Sequence, residues 1–300
     1  MRVILLLLMA AAFATAQAQA QQDKDKDKDS YDNLMPAMGA LSRGDYAQAI
    51  DSLRPMAADG NVEAQYVLGT ILETAPPPLR DLQAAYGWYL RAAESGNAAA
   101  QNNLGAMYYD GRGALRNFID AAHWYKLAAD QGQAVALTNL ALLYGMGLGV
   151  PHDTGEMVAL LQKAAEAGEP RAQEQLARLY LDGEGVAQNA SEAVKWFRGA
   201  AAQDRADAQF FLAVLLQKGI GAPRDVEAAA AWFRRAADHG NRLAMLELAT
   251  AYDLGLGVVA DPAMAKSLRE SAKLKPGQAQ PKADDQSVGA QRVEPPRSKP

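Results

Sequence analysis

Three histidines, His123, His152 and His239, are the first places to look for chemistry in this chain of 300 residues. Imidazole titrates near neutrality and ligates metals, and a helical metal site needs two such groups three or four residues apart. No pair has that spacing, and the three stand in unrelated local contexts. The chain has no cysteine, which removes thiol nucleophiles, cysteine–zinc sites and disulfides together. Carboxylates are plentiful, but Asp110, Asp120, Asp182, Asp225 and Asp261 map to helix ends and loops. Asp120 and Asp225 are expected just ahead of helices, where a side-chain oxygen satisfies free backbone N–H groups. No Gly-x-Ser-x-Gly elbow or phosphate loop occurs, and the Gly-x-Gly pairs follow no strand. No catalytic residue, metal ligand or cofactor is expected, and the chain reads as a non-enzyme.

What positions these residues is a repeat. Gly60, Gly96, Gly132, Gly168 and Gly240 fall on a 36-residue lattice, with Asp204 in the one gap. Four residues past each lattice point stands alanine: Ala64, Ala100, Ala136, Ala172, Ala208 and Ala244. Eight past it stands leucine: Leu68, Leu104, Leu140, Leu176, Leu212 and Leu248. The next residue is always small, from Gly69 and Gly105 to Ala249. Ala100, Leu104 and Tyr108 make one stripe on a 3.6-residue period, the mark of a first helix. Paired glycines such as Gly111 and Gly113 then stop it and turn the chain. A second helix carries Trp88-Tyr89, Trp124-Tyr125, Trp196-Phe197 or Trp232-Phe233, so all four tryptophans share one repeat position. One such helix pair cannot bury its own stripe, so neighbouring pairs must stack and share a core. An aromatic stripe recurring at one position is therefore expected as core, not as a cofactor box or sugar platform.

Composition agrees with stacked helices. Hydrophobic residues make up 49% of the chain, so burial is not limiting, and the low aromatic share of 7% leaves alanine dominant. Alanine costs the least entropy in a helix. The net charge of −5, with basic residues scattered among acids, argues against nucleic acid as a partner.

The two ends read differently. Arg2, an apolar run from Val3 to Phe13 and the small-x-small site Ala18-Gln19-Ala20 predict a secretory signal peptide over residues 1–20. The run is short of the ~20 residues that span a bilayer, so no transmembrane segment is expected after cleavage. The alternating charges from Asp23 to Asp29 predict a disordered linker over 21–29, and the Pro-rich segment 275–300 a disordered tail. Ser30 to Arg43 and Asp45 to Ala58 predict a partial helical pair, 30–59, that caps the stack.

Glycine, Ala-Gln, Leu-Gly, Tyr, Gly-x-Gly, Ala, Trp-Tyr and Ala-Ala on this period closely resemble the Sel1-like repeat, a relative of the tetratricopeptide repeat. The second unit carries the likeness best, with Gly96, Ala100-Gln101, Leu104-Gly105, Tyr108, Gly111, Gly113, Ala121, Trp124-Tyr125 and Ala128-Ala129. The resemblance implies an all-α fold, a right-handed α-solenoid of helix-turn-helix repeats. Its six units are 60–95, 96–131, 132–167, 168–203, 204–239 and 240–274. Pro76-Pro77-Pro78 departs from the pattern in the first loop, Leu160-Leu161 at the third aromatic pair, and Asp204 at a lattice point. Some exported members carry cysteine pairs, and the β-lactam binding of that branch is not expected in a chain without cysteine.

The resemblance also implies that first helices line a concave groove. Its accessible strip is expected to include Asn102, Tyr109, Thr138, Arg171, Glu174, Arg178 and Phe210. There Asn102 and Thr138 would meet a peptide backbone, and Arg171 or Arg178 a carboxylate. The expected function is an exported, periplasmic or secreted, scaffold for proteins or peptides of the cell envelope. Two rivals are a cell-wall enzyme acting on β-lactams or glycans, and a carbohydrate-binding or exopolysaccharide-assembly module. The last gains if Tyr109 and Phe210 are exposed, and weakens if Phe210 is packed between helices.

Overall fold

Thirteen-residue helices follow from the repeat's own punctuation. The residue after each lattice point caps a helix: Asn61, Asn97 and Asn241 accept hydrogen bonds from the backbone N–H groups of Ala64, Ala100 and Ala244 at 2.8, 2.8 and 2.9 Å. The recurring alanine is thus the third residue of each first helix. At the other end Gly111, Gly147, Gly183, Gly219 and Gly255 close these helices in the left-handed conformation.

The computed structural model of the protein describes residues 27–273. Among them are fourteen helices and no strand. A first pair, α1 (Asp27–Ser42) and α2 (Tyr46–Ala58), precedes six further pairs. These are α3 (Val62–Thr74) with α4 (Leu82–Glu94), α5 (Ala98–Asp110) with α6 (Phe118–Asp130), and α7 (Ala134–Met146) with α8 (Thr154–Glu166). Then come α9 (Pro170–Asp182) with α10 (Ala190–Ala202), α11 (Ala206–Lys218) with α12 (Val226–Asp238), and α13 (Arg242–Leu254) with α14 (Pro262–Lys273). The chain divides into two compact units, one running to Ala200 and the other from Ala201. The α-solenoid of paired helical repeats is therefore the observed fold class.

Two expectations shift at the edges. Helix α1 begins at Asp27, inside the stretch 21–29 read as a disordered linker. Asp120 is not a cap: Asn117 caps α6, and Asp120 lies in its first turn, accepting a hydrogen bond from Asn117 Nδ2 at 2.6 Å. Asp225 does cap α12, accepting from the Ala228 N–H at 2.9 Å. The signal segment 1–20 and the tail 275–300 lie outside the described residues.

The aromatic pair divides its labour. Its second member is deep core, with Tyr89, Tyr125, Phe197 and Phe233 all buried. The tryptophan before it is half-buried, with a cation over the ring in three cases: Arg91 on Trp88 at 4.7 Å, Lys195 on Trp196 at 4.7 Å and Arg235 on Trp232 at 5.0 Å. Between consecutive pairs runs a second tie. Gln65, Gln101 and Gln173 donate to the carbonyls of Ala57, Ala93 and Ala165, each on the preceding second helix, at 3.0 to 3.1 Å. Gln209 does the same to Ala201 at 3.0 Å. Each bond adds a second donor to a last-turn carbonyl that already accepts the N–H of the lattice-point residue.

Candidate binding face

The seven strip residues do not share one environment. Asn102 is only 8% exposed; its Oδ1 accepts from Asn139 Nδ2 at 3.0 Å, and its own amide donates to Asn103 Oδ1 at 3.2 Å. Thr138 is 1% exposed, with its hydroxyl within reach of Ala134 O at 3.1 Å and Glu169 Oε2 at 3.0 Å. Glu174 is 3% exposed and ion-paired with Arg178 at 2.8 Å. Asn102, Thr138 and Glu174, expected as open groove residues, are instead buried and bonded. The reason is geometric. In repeats two and three the sixth position past the lattice point faces the next repeat, so Asn102 of α5 meets Asn139 of α7, and Thr138 of α7 meets the cap of α9.

Arg171 is exposed on α9, and Val135 holds the same repeat position, also exposed, on α7. Tyr109 is half-buried, edge-on to Phe118 with ring centres 5.4 Å apart. Phe210 is likewise half-buried, packed against Phe211 and the core residue Phe233 with centres 5.4 and 5.9 Å away. Both rings are thus engaged by neighbours, which weakens the sugar-platform reading.

A polar cluster beside this strip was not legible in the sequence. Tyr89, on α4, donates its hydroxyl to Glu73 Oε2 at 2.9 Å. Arg112, set between the two glycines of the loop after α5, pairs with the same Glu73 and, at 2.9 Å, with Asp110. Burial, then the charge of Glu73, raises the Tyr89 hydroxyl far above its ordinary value. Burial also raises Tyr125, helped by Asp110 and Tyr109 and opposed by Arg171 and Arg112. Tyr109, Asp110, Arg112 and Arg171 therefore lie within electrostatic reach of one buried phenol, Tyr125. The only signal was Arg112 itself, a charge held in a glycine turn.

His123, His152 and His239 are all exposed. Among the described residues no group of three or more histidine, aspartate or glutamate side chains is arranged to hold a metal ion.

The pattern of the Sel1 repeat matches six consecutive stretches, residues 62–97, 98–133, 134–169, 170–204, 206–241 and 242–272. The chain belongs to the Sel1 repeat family. Each matched repeat opens on the first residue of a first helix, two residues past the lattice point. Among solved structures, a Sel1 repeat protein from Oxalobacter formigenes is 33% identical with a TM-score of 0.70, covering 83% of this chain and 99% of that one. The antigen c5321 of uropathogenic Escherichia coli, a protective antigen with the SLR fold, is 32% identical with a TM-score of 0.69. That match covers 74% of this chain and 48% of the antigen, so the chain spans about half of the antigen's length. No curated protein matches the chain. Sel1 repeats commonly mediate protein–protein interactions, and none of the described helices is long and apolar enough to cross a membrane.

Proposed function

We propose that this Sel1 repeat chain is an exported, non-catalytic scaffold that holds other proteins or peptides of the cell envelope. The observation that carries the reading is the first-helix face of repeats two to four. Its polar core is internally bonded, while Val135 and Arg171 stay open at equivalent positions. Such a face offers fixed, pre-organised contacts at little entropic cost. The cluster of Glu73, Asp110 and Arg112 adds charge of both signs, and Arg171 offers a carboxylate a planar donor pair. Export rests on the signal pattern of residues 1–20, and a periplasmic or secreted location follows from it.

The test is cross-linking of the mature chain in its native envelope, followed by mass spectrometry of what is captured. The reading expects a reproducible protein partner whose capture drops when Val135→Asp and Arg171→Glu are combined. Capture of background alone, or of the same partner undiminished by the double variant, overturns it. Fractionation that leaves the full-length chain in the cytoplasm overturns the envelope assignment.

A further inference from the structure

We propose that the third repeat holds a cavity for one aromatic side chain of a partner polypeptide, at the place where other repeats seat a tryptophan of their own. The cavity measures about 590 Å³ and opens over α7, between α6 and α8. Leu137, Leu140 and Tyr144 of α7 line it, with Lys126 and Asp130 on the α6 side and Leu160 on the α8 side.

Three departures from the repeat converge on this one space. The first is Leu160, which stands where Trp88, Trp124, Trp196 and Trp232 stand in other repeats. Trp124 packs back onto the core of the preceding repeats, and Trp196 onto the core that includes α7 to α9. Leu160 is buried in that same core but fills less volume than an indole would. The second is Leu137, which replaces the glutamine seen at Gln65, Gln101, Gln173 and Gln209. The third is Ala167, which replaces Gln131 and His239. Gln131 donates to Gln101 at 2.7 Å, and His239 lies 3.0 Å from Gln209, bridging that end of their own repeats. Leu137 and Ala167 can make no such bridge, so no side-chain hydrogen bond between them closes this end of the third repeat.

The lining also says what fits. Lys163 lies three residues after Leu160, as Arg91 and Arg235 lie three after Trp88 and Trp232. Those two guanidinium groups cover indole rings at 4.7 and 5.0 Å, whereas Lys163 has leucine in the ring's place. A guest ring in the cavity regains that cation. The rim charges balance: Lys126 is ion-paired with Asp130 at 3.0 Å, and Lys163 and Glu156 are the other pair of opposite sign. The site thus selects a neutral ring and not an ion. Its size falls within the range of about 300–1,000 Å³ of small-ligand sites, enough for an indole and flanking backbone.

The test is calorimetric titration of the purified chain with acetyl-Gly-Trp-Gly-amide. Binding is expected with a Kd on the order of 0.1–1 mM, from the usual contribution per ligand atom counted over the tryptophan residue alone. Leu160→Trp restores the repeat's own residue; it is expected to keep the helical signal and lose binding at least tenfold. Leu137→Gln combined with Ala167→Gln, a second way of filling the site, is expected to do the same. Lys163→Ala is expected to weaken binding by about two- to fivefold, the value of an exposed cation–π contact. No binding to the parent chain, or equal binding to both filled variants, overturns the site. Equal binding of acetyl-Gly-Leu-Gly-amide overturns its aromatic preference. Free indole binding as tightly as the tripeptide overturns the polypeptide as occupant. The cavity can be tested without any envelope partner, so its failure and that of the scaffold reading are separate.

Discussion

The Cβ that Gly105 lacks would stand 2.7 Å from Cδ1 of Tyr125. Gly69 faces Tyr89 in the same way at 2.8 Å. The other repeats carry alanine there, with Leu161, Phe197, Phe233 and, in the last, Arg269 in place of the tyrosine. Gly105→Ala is expected to destabilise the chain by about 1–2 kcal/mol, the overpacking cost less the helix propensity that alanine gains. Adding Tyr125→Leu is expected to recover part of that loss, because Ala141 already coexists with Leu161. Urea midpoints of the single and double variants check this; a Gly105→Ala chain as stable as the parent would sink it.

Asp204 is the one described residue other than glycine with a positive φ, 60°, at the lattice point that glycine holds elsewhere. Its contacts are weak, with Gln209 Nε2 at 3.4 Å and His239 Nε2 at 3.9 Å. Asp204→Gly removes the left-handed strain at a cost in unfolded-state entropy, for a net gain of about 0.5–1 kcal/mol. The measurement is the thermal midpoint, and a lower midpoint in the variant contradicts the strain argument.

Burial, partly offset by the hydrogen bond from Asn97, raises the Glu63 carboxyl above the usual carboxylate range. The folded chain therefore holds this proton more tightly than the unfolded chain. That stabilisation is complete below the unfolded-state value and is lost as pH rises through the folded one. Glu63→Gln keeps an oxygen for Asn97 and removes the titration. The variant is expected to gain on the parent as pH rises above the ordinary carboxylate value of about 4.5. Parallel pH profiles of stability for the two chains would refute the assignment.

Buried and open members of the strip differ in what they do when truncated. Asn102→Ala strands the amide of Asn139, at about 1–3 kcal/mol. Thr138→Val removes one of two donors to Glu169 Oε2, which keeps the N–H of Ala172, at about 1 kcal/mol. Arg171→Ala, on an exposed side chain, is expected within about 0.5 kcal/mol of the parent. Denaturation separates the three, and an Asn102→Ala chain of parental stability would return that residue to the open surface.

The helix pairs were legible because each signal had a local cause: alanine at the third helical residue, glycine at a left-handed turn, a tryptophan–aromatic pair on one stripe. The strip was misread because a stacked first helix has more than one neighbour. The Ala100–Leu104–Tyr108 stripe packs back onto the preceding repeat, where the Tyr108 and Tyr86 hydroxyls are 2.8 Å apart, while the next first helix covers Asn102, a contact no single-helix period reports. Glu73 and Arg112 stand 39 residues apart, and their pairing depends on how one repeat's loop meets the preceding repeat. The cavity had a partial signal, since Leu160 was visible as a departure. Its meaning needed Leu137 and Ala167 placed around the same space.

At Gly113, Gly149, Gly185 and Gly257 the second glycine of the loop presses on the repeat before it. A Cβ on Gly149 would fall 2.0 Å from the carbonyl oxygen of Phe118, the first residue of α6. That contact works as a notch that indexes one repeat against its predecessor. An insertion in the loop between Gly147 and Gly149 would disengage it, whereas removing or duplicating a complete 36-residue block would carry the notch along. The chain's length can thus change in whole blocks while each joint is preserved, a rule for anyone shortening, lengthening or grafting it.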